Sequence, residues 1–398
     1  MEYDIVVSGG GIAGLAAAAA FGAVGYTVLC LDPAPPVTDR EAEGADLRTT
    51  AFLQPAQAFL DEIGLWSRLQ AHAMPLQVMR IVDAGGEVPK ARVTKEFNAS
   101  DISDLPFGWN LPNWLLRREF VAHLDGLDTV AFRAGIGTTS LFTREAEARV
   151  GLSDGTKVRC KLVIAADGRN SPMRRAAGID VQTTRFGQKA LAFAVTQPIP
   201  HDNVSTEIHR TGGPFTFVPL PDLDGRPSSA IVWMEEGPKA EALMALGPEE
   251  FEAAMTTRSC SLFGPLTLAS RRTIWPIISQ HADRLSGERI ALVAEAAHVV
   301  PPIGAQGLNM SLKDLSVLRD LARQSGTELG NRAMLDAYHQ KRIADIRARV
   351  AGITLLNRTS MLSAQPLRDM RAKGLDALYT LKPVRTTLMQ LGLGARGV

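Results

Sequence analysis

The sequence predicts an α/β protein: a Rossmann-like domain, an inserted antiparallel sheet and a helical C-terminus. Three observations carry this. A strand, helix, strand unit opens the chain around spaced glycines, strand-like runs broken by Pro, Gly and Asp fill residues 190–234, and after Leu292 the apolar spacing turns helical. At 398 residues the chain can bury a sizeable core and hold two or three intertwined domains.

Taken in order, Tyr3 to Val7 reads as a strand, Ile12 to Val24 as an alanine-rich helix and Thr27 to Leu31 as a second strand, the βαβ unit of a parallel sheet. Residues 5–31 carry no charge, but they hold six glycines and follow Glu2 and Asp4 instead of a basic segment. They therefore read as strand, turn and helix, not as a membrane span or signal peptide. Thr138 to Gly168 alternates polar and apolar residues around an Asp154-Gly155 turn and ends in a buried strand, Leu162 to Ala166. The runs "LAFAV", "FTFVPL" and "SAIVWM" suggest an antiparallel sheet.

Composition excludes several function classes. Lys plus Arg total 43 against 42 acids, a net charge of +1, so no global field draws nucleic acid or an anionic membrane. Cys30, Cys160 and Cys260 lie far apart without metal-ligand spacing, which implies reduced thiols in a cytoplasmic chain, no disulfide framework and no metal site. The tail is locally basic: Arg358, Arg368, Arg371, Lys373, Lys382, Arg385 and Arg396 stand against Asp369 and Asp376, among Leu and Met. It reads as a helix pair packed on the body, with contact to a membrane surface or a partner as the other reading.

"VSGGGIAG" follows the first strand and opens the first helix, placing Gly9, Gly11 and Gly14 as G-x-G-x-x-G in the context dinucleotide binding needs. Gly9 permits the turn, Gly11 lets backbone approach a pyrophosphate, and Gly14 allows close helix–strand packing. Asp32 closes the second strand, about twenty residues beyond the glycines, where an acid can bond ribose hydroxyls.

Two further motifs follow in order. "AADGRNSPMR" leaves a buried strand with Asp167, Gly168, Ser171 and Arg174, and "LVAEAAHVVPPIGAQGLNMS" runs from Leu292 to Ser311. With the glycine loop, they make the chain resemble, over essentially its whole length, the FAD-dependent aromatic-ring hydroxylases, the group A flavoprotein monooxygenases. "ADLRTTAF" (45–52) is similar to the D-x-R-x-x-A-L segment of the UbiH/UbiF ubiquinone-biosynthesis hydroxylases, and "LLRREF" (115–120) to their R-x-x-L helix start.

The resemblance implies roles at named positions. Gly9, Gly11, Ala13 and Gly14 line the FAD pyrophosphate, Asp32 holds the adenosine ribose, and Arg48 and Arg117 lie on the flavin side. Asp167 and Gly168 support the cofactor and the approach of NAD(P)H. Glu295 bonds the ribityl chain, backbone N–H groups at Gly304, Gly307, Leu308 and Asn309 face the flavin ring, and the Pro302 carbonyl accepts the substrate hydroxyl. His298 is expected to be a hydrogen-bonded structural residue. The motif departs from the family at Ala294-Glu295, which replaces Gly-Asp with a longer acid and is expected to displace the backbone slightly. Ser311 and Lys313 stand where the family has Gly and Arg.

The implied FAD-binding domain comprises 1–75, 105–180 and 270–355, the substrate domain with the antiparallel sheet 76–104 and 181–269, and a C-terminal helical segment 356–398. The implied reaction uses NAD(P)H, bound transiently because no second glycine fingerprint is present, and O2 to hydroxylate an electron-rich ring carbon, foremost that of a polyprenyl phenol in ubiquinone biosynthesis. The substrate would lie between flavin and antiparallel sheet, where Phe215 and Phe217 share one strand face and either line the pocket or fill core. Two alternatives stay open: a hydroxylase of a soluble phenol or indole, and a non-catalytic lipid- or partner-binding subunit. The expected location is cytoplasmic, peripheral at the inner membrane through the basic tail or in contact there with Ubi-complex partners.

Overall fold

The structure, a computed structural model, describes residues 1–85, 89–362 and 364–393. Residues 86–88 of the expected substrate domain, and 363 and 394–398 of the expected C-terminal segment with Arg396, lie outside the described residues.

The uncharged N-terminal stretch folds as strand Glu2–Ser8, helix Ile12–Gly22 and strand Val28–Asp32. The helix is buried nearly all round, which is why alanine and glycine fill it: small side chains let it press against the sheet. A parallel sheet runs in the order Ile290–Leu292, Lys157–Ala165, Glu2–Ser8, Val28–Asp32, Val130–Ala134. The segment around Asp154-Gly155 forms the expected meander, Thr138–Thr143, Ala148–Leu152 and Lys157–Ala165. A three-stranded sheet of Thr49–Leu53, Gly108–Pro112 and Met74–Leu76, absent from the sequence reading, sits alongside.

The second large sheet runs His298–Val299, Thr273–Ala282, Val181–Thr196, Arg226–Glu236, Pro214–Leu223, Val204–His209, Val78–Gly85, Lys90–Asn98. Its neighbours are antiparallel except Val204–His209 with Val78–Gly85. Strands from 76–104 and from 181–269 thus share one sheet, with helices Gly237–Ala245 and Pro248–Arg258 outside it. The pairing also corrects the boundary at 269: Thr273–Ala282 pairs along Val181–Thr196, so the sheet continues into residues assigned to the FAD-binding domain.

The two faces of this sheet differ, and of the two readings of Phe215 and Phe217 they bear out the one that fills core. Both are fully buried in the core away from the Pro301–Pro302 loop, where Phe215 meets Trp233 and Phe217 meets Phe263, with Phe251 in the same cluster. Because side chains alternate across a strand, the neighbours Val232 and Met234 point the other way, toward Trp275, Val300 and Ile303. The chain then turns helical, with Gln306–Ser325, Arg332–Ser360, Gln365–Thr380 and Lys382–Leu393. Among the described residues, no helix is long and apolar enough to cross a membrane.

Candidate functional site

Parallel strands end at one edge of a sheet, and here their ends are in register: Ser8 pairs with Ala165 and Leu31, and Ala165 with Leu292. The residues that follow, Gly9, Asp32, Asp167 and Glu295, are thereby brought to the same edge, where ligands of open α/β sheets bind.

At the first loop, Gly9 adopts φ 104°, and a Cβ there would lie 2.4 Å from the Ala166 carbonyl oxygen. A Cβ on Gly14 would lie 1.8 Å from the Gly9 oxygen. Gly11 differs: no protein atom lies within 4 Å of its would-be Cβ, so the loop is open there. Gly11 is also the N-cap of the Ile12–Gly22 helix and offers no side-chain cap, so the helix start presents free N–H groups, with half-buried Ala13 in its first turn. Asp32 braces this loop, accepting from the Gly10 N–H (2.6 Å) and the Ala34 N–H (2.9 Å).

Arg48 precedes strand Thr49–Leu53 and Arg117 lies on helix Asn113–Leu124; Asp46, the acid of the D-x-R segment, to which the sequence reading gave no role, joins them. Arg48 donates to both Asp46 oxygens (2.8 and 2.7 Å), Asn113 Nδ2 donates to Oδ2 (3.1 Å), and Arg117 Nη2 lies 3.7 Å from Oδ2. Burial alone would raise this carboxyl, but the bonds from Arg48 and Asn113 and the charge of Arg117 hold it below the ordinary range. Arg48 also lies over the Trp275 ring, 5.4 Å from its centroid, while Arg117 Nε is buried without a protein partner. The Arg48 side chain is 42% exposed and that of Arg117 25%.

Asp167 accepts from the Met173 N–H (3.1 Å) and the Ser8 hydroxyl (3.3 Å) through Oδ2. Its Oδ1 is buried and unpartnered, and burial pushes the carboxyl above its ordinary value. Gly168 follows at φ 83°. Glu295 is 51% exposed, on a 3-10 turn, with Oε2 3.8 Å from Arg169 Nε. Arg174 locks this turn to the Asp167 loop by donating to the Ala296 (2.9 Å) and Arg169 (3.0 Å) carbonyls.

The departure at Ala294 has a conformational meaning: Ala294 sits at φ 54°, in the left-handed region where glycine is at ease. Ala305 repeats this at φ 55°, next to Gly304 at 63°. Pro302 is the centre of a tight turn closed by the Ile303 N–H on the Pro301 carbonyl (2.8 Å). Ala305 then N-caps helix Gln306–Ser325 without a side-chain cap, and Gly307 is open and exposed. Leu308 packs against the main core. The Asn309 side chain is spent on protein contacts, accepting from the Leu53 N–H (2.8 Å) and donating to the Ala51 (2.7 Å) and Ala305 (2.6 Å) carbonyls.

His298 is buried and bonded, Nε2 to Asp314 Oδ2 (2.6 Å). Asp314 also accepts from Arg342 (2.7 Å), and Arg342 reaches Asp345 (2.5 Å), which accepts from Arg349 (2.9 Å). This network ties the loop to both long helices. Sequence reasoning missed Asp314 and Arg342; the available signal was an acid in phase with the apolar face of the 306–325 helix.

Glycine turn, free helix starts and a loop facing an apolar sheet define a flavoprotein monooxygenase fold. The solved structure of p-nitrophenol 4-monooxygenase PnpA from Pseudomonas putida DLL-E4 shares it, with TM-score 0.80 over 100% of both chains at 18% identity. A family profile described as an FAD binding domain matches residues 2–352, and the chain belongs to that family, with FAD as its cofactor. Ubiquinone hydroxylase UbiL of Rhodospirillum rubrum is 31% identical over 394 residues, covering 98% of this chain and 89% of its own. The 3-demethoxyubiquinol 3-hydroxylase of Escherichia coli (strain K12) is 26% identical over 397 residues, 98% of each.

The residues present suit that cofactor: open space at Gly11 before a free helix start, an unpartnered buried donor in Arg117 Nε and an unpartnered buried acceptor in Asp167 Oδ1.

Proposed function

We propose that the protein is an FAD-dependent, NAD(P)H-using monooxygenase that hydroxylates the ring of a polyprenyl phenol in ubiquinone biosynthesis. FAD, when bound and reduced, supplies the activation of O2 and the transfer of one oxygen atom. The chain's part is to bind, orient and exclude water.

In this reading Gly9, Gly11, Ala13 and Gly14 bound the diphosphate, and Asp32 uses its remaining lone pairs for the ribose. Arg48 and Arg117, placed by Asp46, flank the flavin side, with Asp167 beneath and Glu295 toward the ribityl chain. Gly304, Gly307, Leu308 and Asn309 contribute backbone N–H groups, and the Pro302 carbonyl accepts the phenol hydroxyl. The observation that carries the substrate class is the inner face of the second sheet, where half-buried Val232, Trp275 and Val300 present apolar surface, backed by the buried Met234 and Ile303. Such a wall suits an aromatic ring with an apolar substituent. Segments 1–75, 105–180 and 270–355 form the FAD-binding part in this scheme, less Thr273–Ala282 and His298–Val299. The relatives' names support the pathway, and the basic tail supports a peripheral contact at the inner membrane, or with Ubi-complex partners, by a cytoplasmic protein.

The test is NAD(P)H oxidation with product identification by mass spectrometry, using a short-chain prenyl phenol and a soluble aromatic acid side by side. Turnover of the prenyl phenol is the expected result. Turnover of the acid alone would replace the substrate assignment, and a purified protein that stays colourless after incubation with FAD would sink the enzymatic reading.

A further inference from the structure

We propose that the outward face of the C-terminal helical hairpin, Gln365–Thr380 and Lys382–Leu393, docks on an anionic lipid bilayer. The inference rests on the peripheral-contact reading above and assigns that contact to one face and one chemistry.

Exposed apolar side chains are concentrated here. Of thirteen exposed large hydrophobics among the described residues, nine lie between Leu355 and Leu391. On the hairpin they include Leu367, Met370, Leu378, Leu381, Leu388 and Leu391, from 40% to 68% exposed. Scattered exposed leucines are ordinary, whereas a cluster of this density marks a docking surface.

Charge decides what docks. Both acids of the tail pair with cations of the substrate sheet, Asp369 with Arg92 (2.7 Å) and Asp376 with Lys95 (2.6 Å), while their side chains stay 46% and 61% exposed. Arg368 donates to the Ala84 carbonyl (2.8 Å), Arg385 lies 3.4 Å from Asp101, Tyr379 sets its ring edge-on to Phe97, and Met389 and Leu393 are buried. With its acids paired to cations of the body, the hairpin leaves Lys373 and Lys382 exposed beside the apolar residues. From Arg358 onward there are seven cations and two acids while the whole chain is only +1, so the remaining body is net negative. A two-fold contact with a second copy would set one cationic hairpin against another. Apolar side chains flanked by lysines match the boundary between acyl chains and anionic headgroups.

The far end of the hairpin reaches the site, since Gln306 Nε2 donates to the Gly392 carbonyl (2.9 Å) and Gln306 Oε1 accepts from Arg349 (2.8 Å). Docking would therefore hold the bilayer beside the helix that starts at the substrate loop.

The experiment is co-sedimentation of the flavin-loaded full chain with phosphatidylcholine vesicles, with and without phosphatidylglycerol. The expected result is tighter binding to the mixed vesicles, weakened by salt. Leu378→Glu/Leu388→Glu should lose at least about tenfold in partition. Lys373→Gln and Lys382→Gln should each lose about fivefold, on mixed vesicles only. Phe142→Glu, an exposed apolar residue on strand Thr138–Thr143, should bind like the parent. Flavin spectrum and melting temperature serve as the folding control. Absence of binding to both vesicles, equal binding by parent and Leu378→Glu/Leu388→Glu, or a dimer that this double variant dissolves would each overturn the proposal. Turnover of a short-chain prenyl phenol without vesicles tests the substrate reading separately.

Discussion

The loop after Ser8 turns through Gly9 at φ 104°, whereas the loop after Leu292 turns through Ala294 at 54° and later through Ala305 at 55°. Both leave parallel strands of one sheet at the same edge, on either side of Lys157–Ala165, and both lead to a helix without a side-chain cap. In the first, backbone approaches so closely that only hydrogen fits, at Gly9 and Gly14. In the second, a methyl group is sterically accepted in a conformation that costs about 1–2 kcal/mol for an L-residue. Such strain persists where the surroundings over-determine the backbone. Here Arg174, the His298–Asp314–Arg342 network and the Asn309 bridge pin the segment on three sides.

The contrast can be broken or sharpened by substitution. The largest effect is expected for Gly14→Ala, whose Cβ would meet the Gly9 carbonyl: a loss of about 3 kcal/mol or more, read by urea unfolding. A loss below about 1 kcal/mol would mean the first loop can yield. Asp314→Asn should cost about 3 kcal/mol because Arg342, 1% exposed, keeps only Asp345 of its two buried carboxylate partners and His298 loses its charged acceptor. If stability barely changes, the network does not pin the second loop.

Gly11→Val separates cofactor from fold. A Cβ there has open space around it, so apo-protein stability should stay within about 0.5 kcal/mol. FAD affinity should fall about a hundredfold, an expectation scaled from the steric loss of a diphosphate contact; a variant that titrates like the parent would remove the diphosphate from this loop.

Acid titration probes the same network. Burial would raise the Asp345 carboxyl, but Arg342, Arg349 and Lys313 bring it down to about 2. A depressed carboxyl stabilises the fold fully above its unfolded value, near 4, and loses that contribution as pH falls through 2. Asp345→Asn should therefore flatten the stability profile between those limits, and an unchanged slope would refute it. The smallest effect is a gain: Ala294→Gly should stabilise by about 0.5–1 kcal/mol, the relieved strain less glycine's added chain entropy. Destabilisation would show that Ala294 is not strained.

Much of the architecture was legible because it is written locally. The glycine spacing, the Asp154-Gly155 turn, the period-two runs of 190–234 and the helical spacing after Leu292 each state a backbone preference within a few residues. The boundary at 269 was not legible, since Thr273–Ala282 looks alike whichever sheet accepts it and its place depends on pairing with Val181–Thr196. The facing of Phe215 and Phe217 was equally hidden. Alternation shows that they share a side, while the packing of Phe251 and Phe263 selects which side is core.

The sequence by itself determined the βαβ opening, the free helix start at Gly11 and the candidate positions around the three motifs, because those depend on short-range sterics and on residue types at fixed spacing. Only the tertiary structure brought Asp46 between Arg48 and Arg117, Asp314 under His298, and Asp369 and Asp376 against Arg92 and Lys95. These partners are distant in sequence or rely on long-range packing for their burial. Charge pairing acts through space, at distances that exist only once the strands and helices have closed around it.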